Sequence, residues 1–259
     1  MMGSARKGAA RALLLLVALA PLLAGCGGNW AWHVVDPRDA RGQANLGFLV
    51  SGFWATVSLS LATMVLSILL GMAVALLGMA RLRPLRWINR AYVELFRAIP
   101  ILVMILWVFY GLPVVLDIRL DVFVAAMLAI AICDSAFEAE IFRAGIQSVE
   151  RGQREAAMAL GLSPWNRMRF VILPQAIRRV LPPMANQFIY VVKMSSLASV
   201  IGFQELTRKA NELVVTVFRP LEIYTILILE YLVLILLISA AVRWLERRMQ
   251  ADQSVRSAG

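Results

Sequence analysis

The chain is 259 residues long, 61% hydrophobic and only 16% charged, with a mean hydropathy of +0.75. Soluble domains are about half apolar and about a quarter charged, so an ordinary water-soluble fold is excluded. The formal charge of +10 would suit a polyanionic partner, but 19 of the 26 basic residues fall within 1–11, 81–97, 143–179 and 243–256. That alternation of basic-rich and basic-poor connections marks the cytosolic side of a membrane protein and argues against nucleic acid. The two cysteines, Cys26 and Cys133, have no metal or redox spacing and sit in different kinds of segment, so neither a metal site nor a disulfide is expected.

Residues 12–24 (ALLLLVALAPLLA) follow Arg6, Lys7 and Arg11. Thirteen apolar residues after a basic start fit a signal-peptide core better than a full span. The tetrapeptide LAGC at 23–26 resembles a bacterial lipoprotein processing site, with Cys26 as the lipidated residue. An uncleaved signal anchor and an upstream start stand as alternatives. Residues 1–25 are thus a signal peptide, of lipoprotein type or not, or an anchor; 26–46 form a short periplasmic segment containing Trp30, Trp32 and His33.

Residues 42–80 carry no charge. A hydrocarbon core of ~30 Å needs about 20 helical residues, which predicts one inward-running span at roughly 48–79, stopped by the arginines of 81–86. A second uncharged run, 98–116, returns outward. A third span is predicted from near Val122, a fourth from near Pro183, and a fifth over about 221–242, ahead of Arg243. No repeat, heptad pattern or low-complexity tract interrupts this all-helical integral membrane domain, 47–245, which ends in a cytosolic tail, 246–259.

Between the third and fourth spans lies an arginine-rich stretch, 150–175. Residues 152–159 are good helix formers, and Gly161 suits a helix C-terminus. Ser163 offers an N-cap and Pro164 the first position of a second short helix, with Leu173 and Pro174 at its end or at a kink. Two short helices meeting at a corner on the cytosolic face are predicted. Ala156, Ala157 and Ala159 leave a slim surface for a partner's groove, and Glu155, between Arg151 and Arg154, can anchor it. The plainer reading is an amphipathic surface helix with no partner.

The spacing EAA (155–157), three residues, Gly161, nine residues, then VILP (171–174) resembles the EAA signature of ABC importer membrane subunits, with Val171 where Ile is usual. YVELFRAIP (92–100), EIFRAGI (140–146), GQ (152–153) and KMSSL (193–197) extend the likeness over about 48–245. They resemble the polar amino-acid (histidine/glutamine-type) permease branch. The resemblance implies an all-α integral membrane fold with five core transmembrane helices (a MetI-like ABC permease) behind the signal-like segment. It also implies two ABC ATPase subunits docked at Glu155, Ala156, Ala157, Gly161, Leu173 and Pro174. A second permease subunit, in a homo- or heterodimer, and an extracytoplasmic solute-binding protein complete the set. ATP and Mg would be bound on the ATPase, because this chain lacks a G-x-x-x-x-G-K-[ST] loop. No catalytic residue, cofactor or metal is expected here. The chain is placed in the bacterial inner membrane, multi-pass, with a cytosolic C-terminus and the lipid bilayer around it.

Four ionisable residues fall inside predicted spans: Asp134, Glu138, Lys193 and Glu230. The twelve uncharged residues 122–133 reach about 18 Å, which puts Asp134 near mid-membrane, with Glu138 on the same helix face one turn on. Lys193 lies ten residues past Pro183, about 15 Å in. Such groups face a bundle interior or a water-filled path. They form either a salt bridge between the third and fourth spans or a substrate path, Asp134 or Glu138 meeting an ammonium and Lys193 a carboxylate. A secondary transporter of small amines or amino acids would normally need a longer chain or inverted repeats. A membrane scaffold subunit would leave the buried charges without a use.

Overall fold

A computed structural model of the protein describes residues 30–80 and 82–256, and all regular elements among these are helical. The expected signal segment 1–25 and Cys26 lie outside the described residues. The helices are α1 (Ala40–Val50), α2 (Phe53–Gly78), α3 (Arg83–Ala98), α4 (Ile101–Leu116) and α5 (Val122–Gln147). They continue as α6 (Arg151–Ala159), α7 (Leu173–Met194), α8 (Leu206–Val217) and α9 (Pro220–Arg256).

Among the described residues, three stretches are long and apolar enough to cross a membrane: Ala40–Gly78, Val122–Gln147 and Pro220–Trp244. A fourth forms if α3 and α4, bent by 100° against each other, count as one. The bend falls at Ile99 and Pro100, where proline removes an N–H and holds the preceding residue extended (ψ 126°). With α7 these make the five core helices.

Two boundaries differ from the sequence reading. The helical run that carries the first span begins at Ala40, inside the stretch 26–46 expected to be periplasmic. The helix that carries the expected fourth span starts ten residues before Pro183, and Pro182 and Pro183 lie inside it. Backbone freed by proline within a membrane bundle is re-satisfied by neighbouring groups, so the pair does not end the helix. Gln175, Arg179 and Gln187 keep α7 below the apolarity of a free-standing span. These side chains bond to other parts of the protein.

Directions follow from the contacts. Ser67 meets Asp134 and Gly71 meets Glu138, so α2 and α5 run parallel. Asp134 meets Gln187 while Gly145 meets Val180, so α7 runs antiparallel to α5. Leu49 packs with Ile223, and Phe53 and Val57 with Leu234, so α9 points the same way as α2. The α2–α5 contact uses small residues: Ser67 and Gly71 of α2 lie against Asp134, Ser135, Glu138 and Ala139 of α5, and Ala125, Ala126, Ala129 and Ala136 of α5 have no exposed surface. Lipid gives helices no hydrophobic reason to associate, so close backbone approach through small residues supplies the packing. At the outer end the Ala31 N–H donates to Glu222 Oε1 (2.8 Å), tying the described N-terminus to α9.

Candidate functional site

The corner forms much as its local chemistry dictates. Helix α6 ends with Leu160 N–H on Ala156 O (3.0 Å), Gly161 N–H on Met158 O (2.9 Å) and Leu162 N–H on Ala157 O (3.1 Å). Gly161 holds φ +74°, a left-handed backbone that only glycine adopts at no steric cost. Ser163 Oγ accepts from the Asn166 N–H (3.3 Å), and Pro164 opens the short helix Pro164–Arg167.

Of the two outcomes expected at Leu173 and Pro174, a helix end or a kink, the end is not found. A wider π turn, Met168–Ile172, carries the chain directly into α7, and Pro174 stands in the first turn of that helix. Its ring removes one N–H from this continuous helical run, at the point where the wider turn gives way to α-helix.

The corner is clamped to both helices that carry it. The Arg154 guanidinium donates to Ile146 O at the end of α5 (2.6 Å), and Arg179 of α7 donates to Ser148 O. Val149, Ile172 and Ala176 close an apolar cluster beneath. Ala157 is buried, 2% exposed, which corrects the expected three-alanine outer surface; Ala156 and Ala159 remain exposed. Around them stand Met158, Leu160 (80% exposed), Trp165 (70%) and Phe170. These side chains form a bare apolar patch on a charged loop. Glu155 pairs with Arg151 at 3.0 Å, both exposed, beside a hollow of about 490 Å³ that Arg154 and Met158 also line.

The second assembly is the polar seam between α2, α5 and α7. Ser67 Oγ donates to Asp134 Oδ2 (2.5 Å), and Gln187 Nε2 donates to Asp134 Oδ1 (2.5 Å). Both oxygens of a fully buried carboxylate are therefore served by neutral donors on two other helices. Tyr92 of α3 joins through Ser135 Oγ (2.8 Å). Glu138 has no exposed surface, and neither of its carboxylate oxygens has a hydrogen-bond partner among the described residues. A methyl group at Gly71 would stand 2.5 Å from Glu138 Cβ and 2.9 Å from Ser135 O.

The predicted salt bridge between the third and fourth spans does not form. Among the described residues Lys193 makes no ion pair with Asp134 or Glu138, and its side chain is exposed. The reason is helical phase: Lys193 lies six residues past Gln187, about 600° of rotation, and so emerges on another face. Gln187 takes the place expected of the lysine. Glu230 lies on α9 with its oxygens buried and no hydrogen-bond partner among the described residues. The structure therefore brings Asp134 and Glu138 together and leaves Lys193 and Glu230 apart from them.

Sequence reasoning missed Ser67, Gln187 and Glu205. The hydroxyls at 56, 60, 63 and 67 recur at helical spacing, a legible signal for a buried face. Glu205, also without exposed surface, caps α8 by accepting from Thr207 N (2.9 Å) and Arg208 N (2.7 Å), and takes a third bond from Tyr231 OH (2.8 Å).

Residues 67–251 match the model of the family described as binding-protein-dependent transport system inner membrane component. The chain is 44% identical over 160 residues to a glutamine transport system permease protein of Escherichia coli K12, covering 61% of this chain and 73% of that one. It is 39% identical over 206 residues to a probable glutamine ABC transporter permease protein of Bacillus subtilis 168, covering 80% and 95%. The crystal structure of an amino acid ABC transporter with histidines superposes with a TM-score of 0.74 at 37% identity, covering 78% of this chain and 94% of that one. An inward-facing structure of the MetNI methionine ABC transporter, at 21% identity, shares the fold with a TM-score of 0.68, covering 78% and 95%.

Proposed function

Because this chain belongs to the family of binding-protein-dependent transport system inner membrane components, we propose that it forms the translocation pathway of an ATP-driven importer of polar amino acids. Its corner at 155–174 is the element an ATPase subunit grips. The observation that carries this reading is the corner itself: Met158, Leu160, Trp165 and Phe170 are exposed on it, Arg154 beside it bonds to the end of α5, and Arg179 of α7 bonds to Ser148 just past α5. A push on the apolar face moves α5 and α7 together. Those are the helices that meet at Asp134 and Gln187.

In this reading two ATPase copies dock on the cytosolic side and hold ATP and Mg, while this chain supplies no catalytic group. A second permease subunit, identical or sister, pairs with it, and an extracytoplasmic solute-binding protein delivers the cargo. The parallel course of α9 and α2 supports a cytosolic C-terminus on the side of the basic loops. Residues 1–25 direct export, either cleaved with Cys26 lipidated or retained as an anchor. The amino-acid class is supported by the named relatives and by an exposed cation, Lys193, that suits a carboxylate. A path running between two permeases is lined by side chains exposed on one copy. Asp134 and Glu138 are sealed within this subunit and serve its helix packing instead.

Co-expression with the ATPase from the same transport system tests the reading. The ATPase is expected to co-purify and uptake to follow ATP hydrolysis. Lys193→Met should cut uptake while Asp134→Asn preserves it. Absence of the ATPase from the purified complex would overturn the importer assignment; equal uptake by the lysine variant and wild type would remove Lys193 from the path.

A further inference from the structure

Beside the corner, but facing the membrane, a cavity of about 790 Å³ opens between α2 and α7. Its walls run from Ile68 to Met79 on α2 and from Leu173 to Met184 on α7, and apart from Arg169 every lining residue is apolar. Eleven residues of helix rise about 16 Å, close to half of a ~30 Å hydrocarbon core. Both walls are therefore one leaflet long.

The two ends differ in chemistry. At the cytosolic end stand Trp165 and Arg169, an interfacial aromatic and a cation. Arg169 is exposed, lies over the Phe170 ring at 5.4 Å, and makes no ion pair among the described residues. At the other end, near mid-membrane, Ile68 and Met184 close the groove without a polar group.

We propose that this groove seats an acyl chain of an anionic phospholipid from the cytosolic leaflet, with its headgroup phosphate on Arg169. The shape is that of an amphiphile: one charge at one end and an apolar trough one leaflet long. A helix from a second permease would cross the whole bilayer and would need a wall about twice as long. The cytosolic leaflet is the anionic one, so the charge at the mouth matches the lipid that reaches it. The site adjoins the corner through Trp165 and Arg169, so lipid bound there braces the element that moves with the ATPase. The inference rests on the groove and on the side of the basic loops, not on which solute is carried.

The full chain with its ATPase partner, placed in nanodiscs of phosphatidylcholine with a minor share of phosphatidylglycerol, provides the test. One lipid at a time carries a photoactivatable group in its acyl chain, and adducts are mapped by mass spectrometry. Phosphatidylglycerol adducts are expected on 68–79 and 173–184 of the unaltered protein, where folding of a variant is not at issue. Arg169→Gln should reduce them about five-fold, the worth of one arginine at an anionic surface, and leave phosphatidylcholine adducts unchanged. Leu76→Trp should reduce both. Equal labelling by the two lipids, or labelling as strong on α9 as in the groove, overturns the proposal. So do a crosslink joining two copies through residue 76, which assigns the groove to a second permease, and a gain in labelling on removing residues 1–29, which assigns it to that segment.

Discussion

The Ser67 hydroxyl donates to Asp134 at 2.5 Å across two helices that run parallel, so one turn further along both chains Gly71 meets Glu138. This register fixes how α2 lies on α5, and its two contacts are separable by mutation.

Ser67→Ala leaves one oxygen of a fully buried carboxylate without its donor. Bonds to charged groups contribute about 1.5–3 kcal/mol, so thermal unfolding of the purified protein should shift down by that amount. In an Asp134→Asn background the same change should cost less, because a neutral amide needs less solvation. A double-mutant cycle should return a coupling of about 1 kcal/mol or more; additive losses would mean the hydroxyl and the carboxylate do not act together.

Gly71→Ala places a methyl against backbone and Cβ atoms that cannot swing aside. Overpacking of this kind costs about 1–3 kcal/mol. Gly47→Ala is the control, since nothing lies within 4 Å of an added Cβ there. It should be neutral or stabilising, as Ala is favoured over Gly by about 0.5–1 kcal/mol within a helix. Chemical denaturation of both variants checks the contrast.

Glu155→Gln breaks an ion pair that is exposed on both sides. Such pairs contribute about 0–1 kcal/mol, so stability should hardly change. Retention of the ATPase subunit on an affinity column should nevertheless fall, and Leu160→Ser or Trp165→Ser should do the same. Unchanged retention in all three would show that the corner is not the docking surface.

Gly161→Val forces a β-branched residue into a left-handed backbone at about 1–2 kcal/mol. The strain falls on the corner alone, so membrane insertion and yield should persist while uptake per ATP hydrolysed declines. Gly161→Asn, which tolerates that backbone better, should fall in between.

What the sequence revealed here was whatever depended on near neighbours. Gly161, Ser163 and Pro164 announce a two-helix corner because caps and turns are decided within four residues. The start of α7 was hidden because Pro182 and Pro183 look like a boundary until the surrounding bundle is known. That shift in turn concealed Gln187 as the partner of Asp134, since the phase of a helix face cannot be set before its start. Ala157 was read as outward because the burial of a helix face depends on what the rest of the chain brings against it, which the local sequence does not show.

The bond from Ala31 N–H to Glu222 lies five residues after Cys26 and fastens the start of the described chain to α9. Cleavage ahead of Cys26 would remove neither partner of that bond. A Glu222→Gln chain should therefore lose it whether or not the segment before Cys26 is kept.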